Sequence, residues 1–342
     1  MSQATASADA EPAPPAPRPR RKRSLFNFSE GGGAPVLVTP TLILLAIVIL
    51  YPVVWAIWMS FQKDPGLDPQ TGMFVEGGWA GWSNYAHWIF QRCDTVGGGT
   101  APCPQGNLGA EFWISVYNTV LFTVISVAIE VVLGMWFATI MHRTFRGRGL
   151  VRASVLIPWA IPTAVTAKLW LFIFAFNGVL NQVLGIHVLW TGDEWASRFA
   201  VIIADVWKTT PFIALLILAG LQVIPDEVYE AAKVDGAGAW QRFTQITLPL
   251  VKPALMVAVL FRVLDVLRIF DLPWILTGGG GGEGTATTTL SILVVQQIRQ
   301  GFNSAAALST ITFLFIFAVA FVFVKFLGAN VVRTQEEERG TL

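Results

Sequence analysis

The chain is poor in the residues that carry most chemistry. Its 342 residues include two cysteines, three histidines and four tyrosines, and only 13% are charged. His87, His142 and His187 fall in separate loops with no acid and nucleophile beside them, which excludes a catalytic triad. No histidine lies between Cys93 and Cys103, which argues against a metal site there, so no metal ligands are assigned. No G-x-x-x-x-G-K-[ST] occurs, so the chain carries no nucleotide site of that kind and should not hydrolyse ATP. The run Gly278-Gly279-Gly280-Gly281-Gly282-Glu283-Gly284 has dinucleotide-like spacing but opens no strand–helix unit, and it reads as a flexible external turn. No cofactor is expected on this chain.

What the sequence has in abundance is apolar length. Hydrophobic residues make up 54%, and runs of about twenty recur, the length that crosses roughly 30 Å of hydrocarbon. The expected fold class is all-α, a polytopic membrane protein with six transmembrane helices at about 36–61, 113–141, 153–175, 199–221, 254–277 and 304–328. With the amino terminus in the cytosol, fourteen Lys and Arg fall in cytosolic segments: five in 18–23, four in 142–152, three in 222–253, and Arg333 and Arg339. The external loops hold four: Lys63, Arg92, Arg198 and Arg299. This bias places both termini in the cytosol.

Three regions are expected: a tail over 1–35, a six-span domain over 36–328, and a polar carboxy-terminal tail over 329–342. The first is rich in Ala and Pro, and its Arg18, Arg20, Arg21, Lys22 and Arg23 suit anionic membrane lipid rather than nucleic acid. Both tails read as disordered. Cys93 and Cys103 share the loop 62–112, external and hence oxidising, with Gly97-Gly98-Gly99 and Pro102 between them, so a disulfide is expected.

Charges inside spans are costly and tend to face a cavity or a partner. They are Glu130, Lys168, Asp205, Lys208, Arg262, Asp265, Arg268 and Asp271. Counting along each span sets Lys168, Asp205, Lys208, Arg268 and Asp271 in the outer half and Glu130 in the inner half. Arg262, Asp265, Arg268 and Asp271 alternate in sign every three residues, a spacing that pairs along one helix. With Trp207 and Trp274 nearby, this balanced lining suits a neutral, hydroxyl-rich solute such as a sugar. Buried ion pairs that only fix packing remain the competing reading.

The segment 222–253 has its own order. Pro225 suits a first helical turn, Asp226, Glu227 and Glu230 suit its positive end, and Gly236 suits a left-handed stop. A second helix is expected from about Ala239 to Ile246, ended by Pro249 and Pro253. Glu230-Ala231-Ala232, Gly236, Ile246 and Leu248-Pro249 resemble the EAA signature of importer-type ABC permeases, a helix–turn–helix that docks on a separate ATPase.

A wider resemblance supports this. Asn118-Thr119, His142-Arg143, Gly149-Leu150-Val151-Arg152, Leu156-Ile157-Pro158, Trp207 to Phe212, Phe261-Arg262, Asp265 and Arg268 to Asp271 are similar to carbohydrate permeases of the maltose-importer class, including actinobacterial trehalose importers, over about 36–328. The resemblance implies a permease subunit in a bacterial plasma membrane that carries a neutral sugar, a disaccharide such as trehalose or maltose. It implies as partners a second, unlike permease, two ATPase subunits that use ATP and Mg, and an extracytoplasmic sugar-binding protein. The amino-terminal tail, the Cys-containing loop and the run Gly278 to Gly282 depart from the family pattern. Rival readings are an ion-coupled secondary transporter with Glu130 or Asp205 as carrier, a permease for a non-sugar solute such as glycerol phosphate, and a membrane-embedded enzyme.

Overall fold

In hydrocarbon every backbone N–H and C=O needs an internal partner, so long apolar runs fold as helices. A computed structural model describes residues 34–67, 72–95, 99–282 and 284–340. The basic cluster Arg18 to Arg23, Gly97-Gly98 and Glu283 lie outside the described residues. The chain divides into two units, 1–55 and 56–342.

Among the described residues, five helices are long and apolar enough to cross a membrane: α1 (Val38–Met59), α3 (Leu108–His142), α7 (Glu194–Gln222), α9 (Ala239–Val266) and Phe302–Lys325, the first part of α12 (Phe302–Gly340). The span expected over 153–175 is not one rod. It is α4 (Arg148–Ala160) and α5 (Thr163–Ile173), bent by 94°. The break falls at Ile161-Pro162, where proline pushes its predecessor into extended backbone, here ψ 132°. The shorter helices are α2 (Ser83–Phe90), α6 (Val179–Leu184), α8 (Asp226–Val234), α10 (Asp271–Thr277) and α11 (Leu290–Ile298). The helix α12 continues to Gly340, through much of the stretch expected to be a disordered tail.

The fifth span also differs from expectation. Pro249 and Pro253 do not separate a short helix from the membrane span, because α9 passes through both. Just before Pro249 the helix widens into a π turn over Phe243–Thr247, with Leu248 N–H bonded to Phe243 O. That extra residue per turn relieves the clash a proline ring would make in a regular helix. The helix then stops at Val266 rather than running to 277, and Asp271 begins a separate helix.

The core of the second unit is built on α3 and α7. Phe122 and Val127 of α3 pack with Ala200 and Val206 of α7 and with Val263 and Val266 of α9. Further along, Met135, Ala138 and Met141 meet Ile213, Ile217 and Leu221. The two helices run in step: Asn118 meets Arg198, Glu130 meets Thr209, and Gly134 sits against Ile213. Gly220 lets α9 come close, since a Cβ there would lie 2.5 Å from Ala254 Cβ.

Between α1 and α3 lie small antiparallel pairs. Gln62–Lys63 pairs with Gly78–Trp79, Gly66–Leu67 with Phe74–Val75, and Arg92–Asp94 with Thr100–Pro102. Cys93 and Cys103 form a disulfide across the last pair, with Cα atoms 4.9 Å apart. Asp64 ties this region to the start of α12 by accepting from the N–H groups of Asn303 (2.6 Å) and Ser304 (2.8 Å).

Candidate functional site

The strongest polar feature is a buried charge cluster at the meeting of α3, α7 and α9. Arg262 donates through Nε to Glu130 Oε2 at 2.7 Å and through one terminal nitrogen to Glu130 Oε1 at 3.0 Å. The same nitrogen reaches Asp205 at 2.5 Å, and the other reaches Asp265 at 2.5 Å. The Arg262 and Glu130 side chains are 2% and 0% exposed, whereas Asp265 is 61% exposed, so the cluster opens on that side. The Thr209 hydroxyl lies 2.6 Å from both Glu130 Oε1 and the Asp205 carbonyl. A planar guanidinium with five donors can make these four bonds to three carboxylates at once, which the three donors of lysine cannot.

This arrangement brings together residues that the depth count set apart. Asp205 and Glu130 were set in opposite halves, yet both bind Arg262. They sit about one turn apart along parallel helices, a gap the long arginine side chain bridges. Lys208 turns toward the bend instead and donates to Ile161 O at 2.9 Å, meeting a carbonyl freed where α4 ends.

The other nominated pathway residues do not join the cluster. Lys168 is exposed on α5, and Arg268 and Asp271 are exposed beyond the end of α9, so the alternating stripe does not continue along one helix. Trp207 meets Trp170 edge to face with centroids 5.7 Å apart. Trp274 stacks on Phe270 at 5.5 Å, with the Arg299 guanidinium 6.0 Å from its ring.

The glycine run is a packed loop, not a flexible turn. Thr287, Thr288 and Thr289 behind it are essentially fully buried, and their hydroxyls donate to the carbonyls of Gly280, Gly279 and Ile269. Asn118 donates to Thr285 O and Thr288 O, and Leu290 N–H donates to Thr119 Oγ1. Glycine is needed here for closeness as well as rotation: at Gly282, with φ +49°, a Cβ would lie 2.8 Å from Glu194 Cα. Arg198, expected in an external loop, is a buried residue of α7 that bonds Asn118 Oδ1 and Ala286 O. The sequence signal was the Thr-rich stretch after the glycines, since polar residues that small are easily buried when bonded.

The hairpin that carries the EAA-like residues is well formed. Helix α8 ends in a Schellman motif: Gly236 N–H bonds Lys233 O and Ala237 N–H bonds Ala232 O. Gly236 has φ +78° with open space where a Cβ would be, so backbone rotation alone calls for glycine. Arg242 then closes the turn by donating to Ala237 O at 2.7 Å, and Tyr229 OH lies 3.2 Å from Thr247 Oγ1. Ala232 is buried, Ile246 is half-buried, and Glu230, Ala231, Leu248 and Pro249 are exposed. Because α9 is continuous, the second arm of the hairpin and Arg262 lie on one rod of 28 residues, about 42 Å long.

Near the Cys93–Cys103 disulfide, His87 lies closer than its place in the sequence suggested. Its ring and the two sulfurs bring their ligand atoms within 4.8 Å of one another, but each sulfur is bonded to the other.

Comparison with known proteins agrees with this architecture. Residues 130–334 match the family described as binding-protein-dependent transport system inner membrane component. The chain belongs to this family. It is 39% identical over 295 residues to the trehalose/maltose transport system permease protein MalF of Thermococcus litoralis, covering 84% of this chain and 91% of the relative. It is 38% identical over 296 residues to the trehalose transport system permease protein SugA of Mycobacterium tuberculosis, covering 86% and 88%. A bacterial ABC transporter involved in import of the acidic polysaccharide alginate shares the fold, with TM-score 0.67 and 23% identity over 87% of this chain and 94% of that one. This family member is thus a multi-pass membrane permease of the ABC importer class and not an enzyme.

Proposed function

We infer that the protein is the permease subunit of a binding-protein-dependent ABC importer for a neutral disaccharide such as trehalose or maltose. The observation that carries this is the 38–39% identity, across more than four fifths of the chain, to permeases named for those sugars. The exposed Glu230 and Ala231 and the left-handed Gly236 give the hairpin the form of a docking element, and α9 links it to Arg262. In this reading the hairpin and both termini are cytosolic, and a separate ATPase pair engages the hairpin. A second permease completes the pathway, and an extracytoplasmic protein delivers the sugar. Closure of the ATPases moves the rod and shifts the bundle between inward and outward access. Asp265, Lys208, Trp207 and the half-buried Trp274, with Arg268, Asp271 and Lys168 at the exposed surface, are nominated for the sugar route.

A second reading rests on one relative. A sulfoquinovosyl glycerol permease of Agrobacterium fabrum is 38% identical over 253 residues, and its named solute is an acidic glycoside. The lining favours the neutral sugar, because Asp265 is the exposed member of the cluster while Arg262 is fully engaged.

The test is ATPase stimulation in the assembled complex. Binding protein loaded with trehalose or maltose should stimulate hydrolysis, and an acidic glycoside should not. Stimulation by the acidic glycoside alone would replace the first reading with the second. Impermeant thiol labelling tests the orientation: a cysteine placed at Gln241 should be shielded in intact cells, and labelling from outside would invert the topology.

A further inference from the structure

Between the end of α3, the end of α7 and the hairpin lies a cavity of about 720 Å³. Its charged lining is lopsided: Arg143, Lys233 and Arg242 face it, against the single carboxylate of Asp226. Neighbouring cations are committed elsewhere. Arg152 donates twice to Met141 O, at 3.3 and 2.8 Å, and so caps the end of α3, while Arg242 spends one nitrogen on Ala237 O. Arg143 and Lys233 have no ion-pair partner among the described residues. Trp240, stacked on Phe243, and Tyr229 supply ring surface beside these charges.

We propose that this cavity binds a phosphoryl group, held by Arg143 and Lys233 with Arg242 as the fixed third cation. Several cations around one concave space match an anion with several terminal oxygens better than a carboxylate with two. The rings then cover the organic part next to the phosphate, such as glycerol or a sugar. Two sources share this chemistry: the headgroup of an anionic phospholipid at the membrane surface and a soluble sugar phosphate. The proposal concerns occupancy of the cavity and does not require the hairpin to dock on an ATPase.

The experiment uses the full chain co-purified with its partner permease, without ATPase or ATP, in lipid nanodiscs. In one arm, native mass spectrometry counts phosphatidylglycerol retained from discs of mixed phosphatidylcholine and phosphatidylglycerol. In the other, radiolabelled glucose 6-phosphate is dialysed against discs of phosphatidylcholine alone. Retention of one lipid per chain identifies the headgroup as the source, and saturable binding in the second arm identifies the soluble phosphate. In either case Arg143→Gln with Lys233→Gln should weaken binding about tenfold or more. Arg146→Gln with Arg148→Gln, which removes the same charge outside the cavity lining, should leave binding unchanged. Absence of saturable binding in both arms overturns the proposal, as does equal loss in the two double variants.

Discussion

Arg262 and Glu130 lie 132 positions apart in the chain and form a two-point bond, at 2.7 and 3.0 Å, with both side chains buried. The pair joins the rod that carries the hairpin to the central helix α3. Replacing Arg262 by Met would leave Glu130 and Asp205 buried without their cation, at a cost of roughly 3–5 kcal/mol. Arg262→Lys restores the charge but not the fork. The amount of intact complex recovered from membranes after graded heating should fall in the order wild type, Lys, Met. Equal recovery of all three would show that the cluster does not hold the bundle together.

Gly236 calls for a different kind of substitution series. Its φ of +78° is strained for most side chains, by about 1–2 kcal/mol, while the space around it is open. Asn tolerates this backbone region and Val does not. Gly236→Asn should therefore keep most sugar uptake, whereas Gly236→Val should lose it with all spans still inserted. Equal loss in both would point to contact with another molecule at this position rather than to backbone rotation.

The loop after α10 gives a third prediction. Since a Cβ at Gly282 would press on the backbone of α7 at Glu194, Gly282→Val should loosen the loop. Hydrogen exchange at Thr287 and Leu290, whose amides bond Gly280 O and Thr119 Oγ1, reads this directly. Both amides should be protected in the parent chain and exchange faster in the variant. Fast exchange in the parent would restore the flexible-turn reading.

Asp265 and Asp271 separate pathway from packing. Both are exposed, but Asp265 also bonds Arg262 at 2.5 Å while Asp271 belongs to a separate helix. Asp271→Asn should lower uptake without reducing assembled complex, and Asp265→Asn should lower both. Unchanged uptake and assembly for Asp271→Asn would remove that residue from the route.

The apolar runs made the membrane class and the approximate spans legible, because length and composition alone determine whether a helix can cross. The EAA-like spacing marked the hairpin, and the Asp235-Gly236 pair marked the stop of its first helix. What did not show were the features set by tertiary packing. Pro249 and Pro253 read as helix ends, and the π turn that accommodates Pro249 has no one-residue signature. Ile161-Pro162 sits inside an apolar run long enough to look like one straight span. Glu130 was kept apart from Asp205 by a count along separate helices, since the reach of one arginine side chain is not visible in such a count. The buried Thr287 to Thr289 were hidden behind glycines that usually signal freedom, and only their hydrogen bonds to α3 and to neighbouring carbonyls explain the burial.

The central claim is ATP-driven uptake of a neutral disaccharide through this chain. The measurement is entry of radiolabelled trehalose and maltose into vesicles containing the assembled complex, with loaded binding protein outside and ATP inside. Uptake should require both ATP and the binding protein, should not respond to an imposed proton or sodium gradient, and should vanish in the Gly236→Val complex. Uptake driven by an ion gradient without ATP, or retained in full by that variant, would contradict the account.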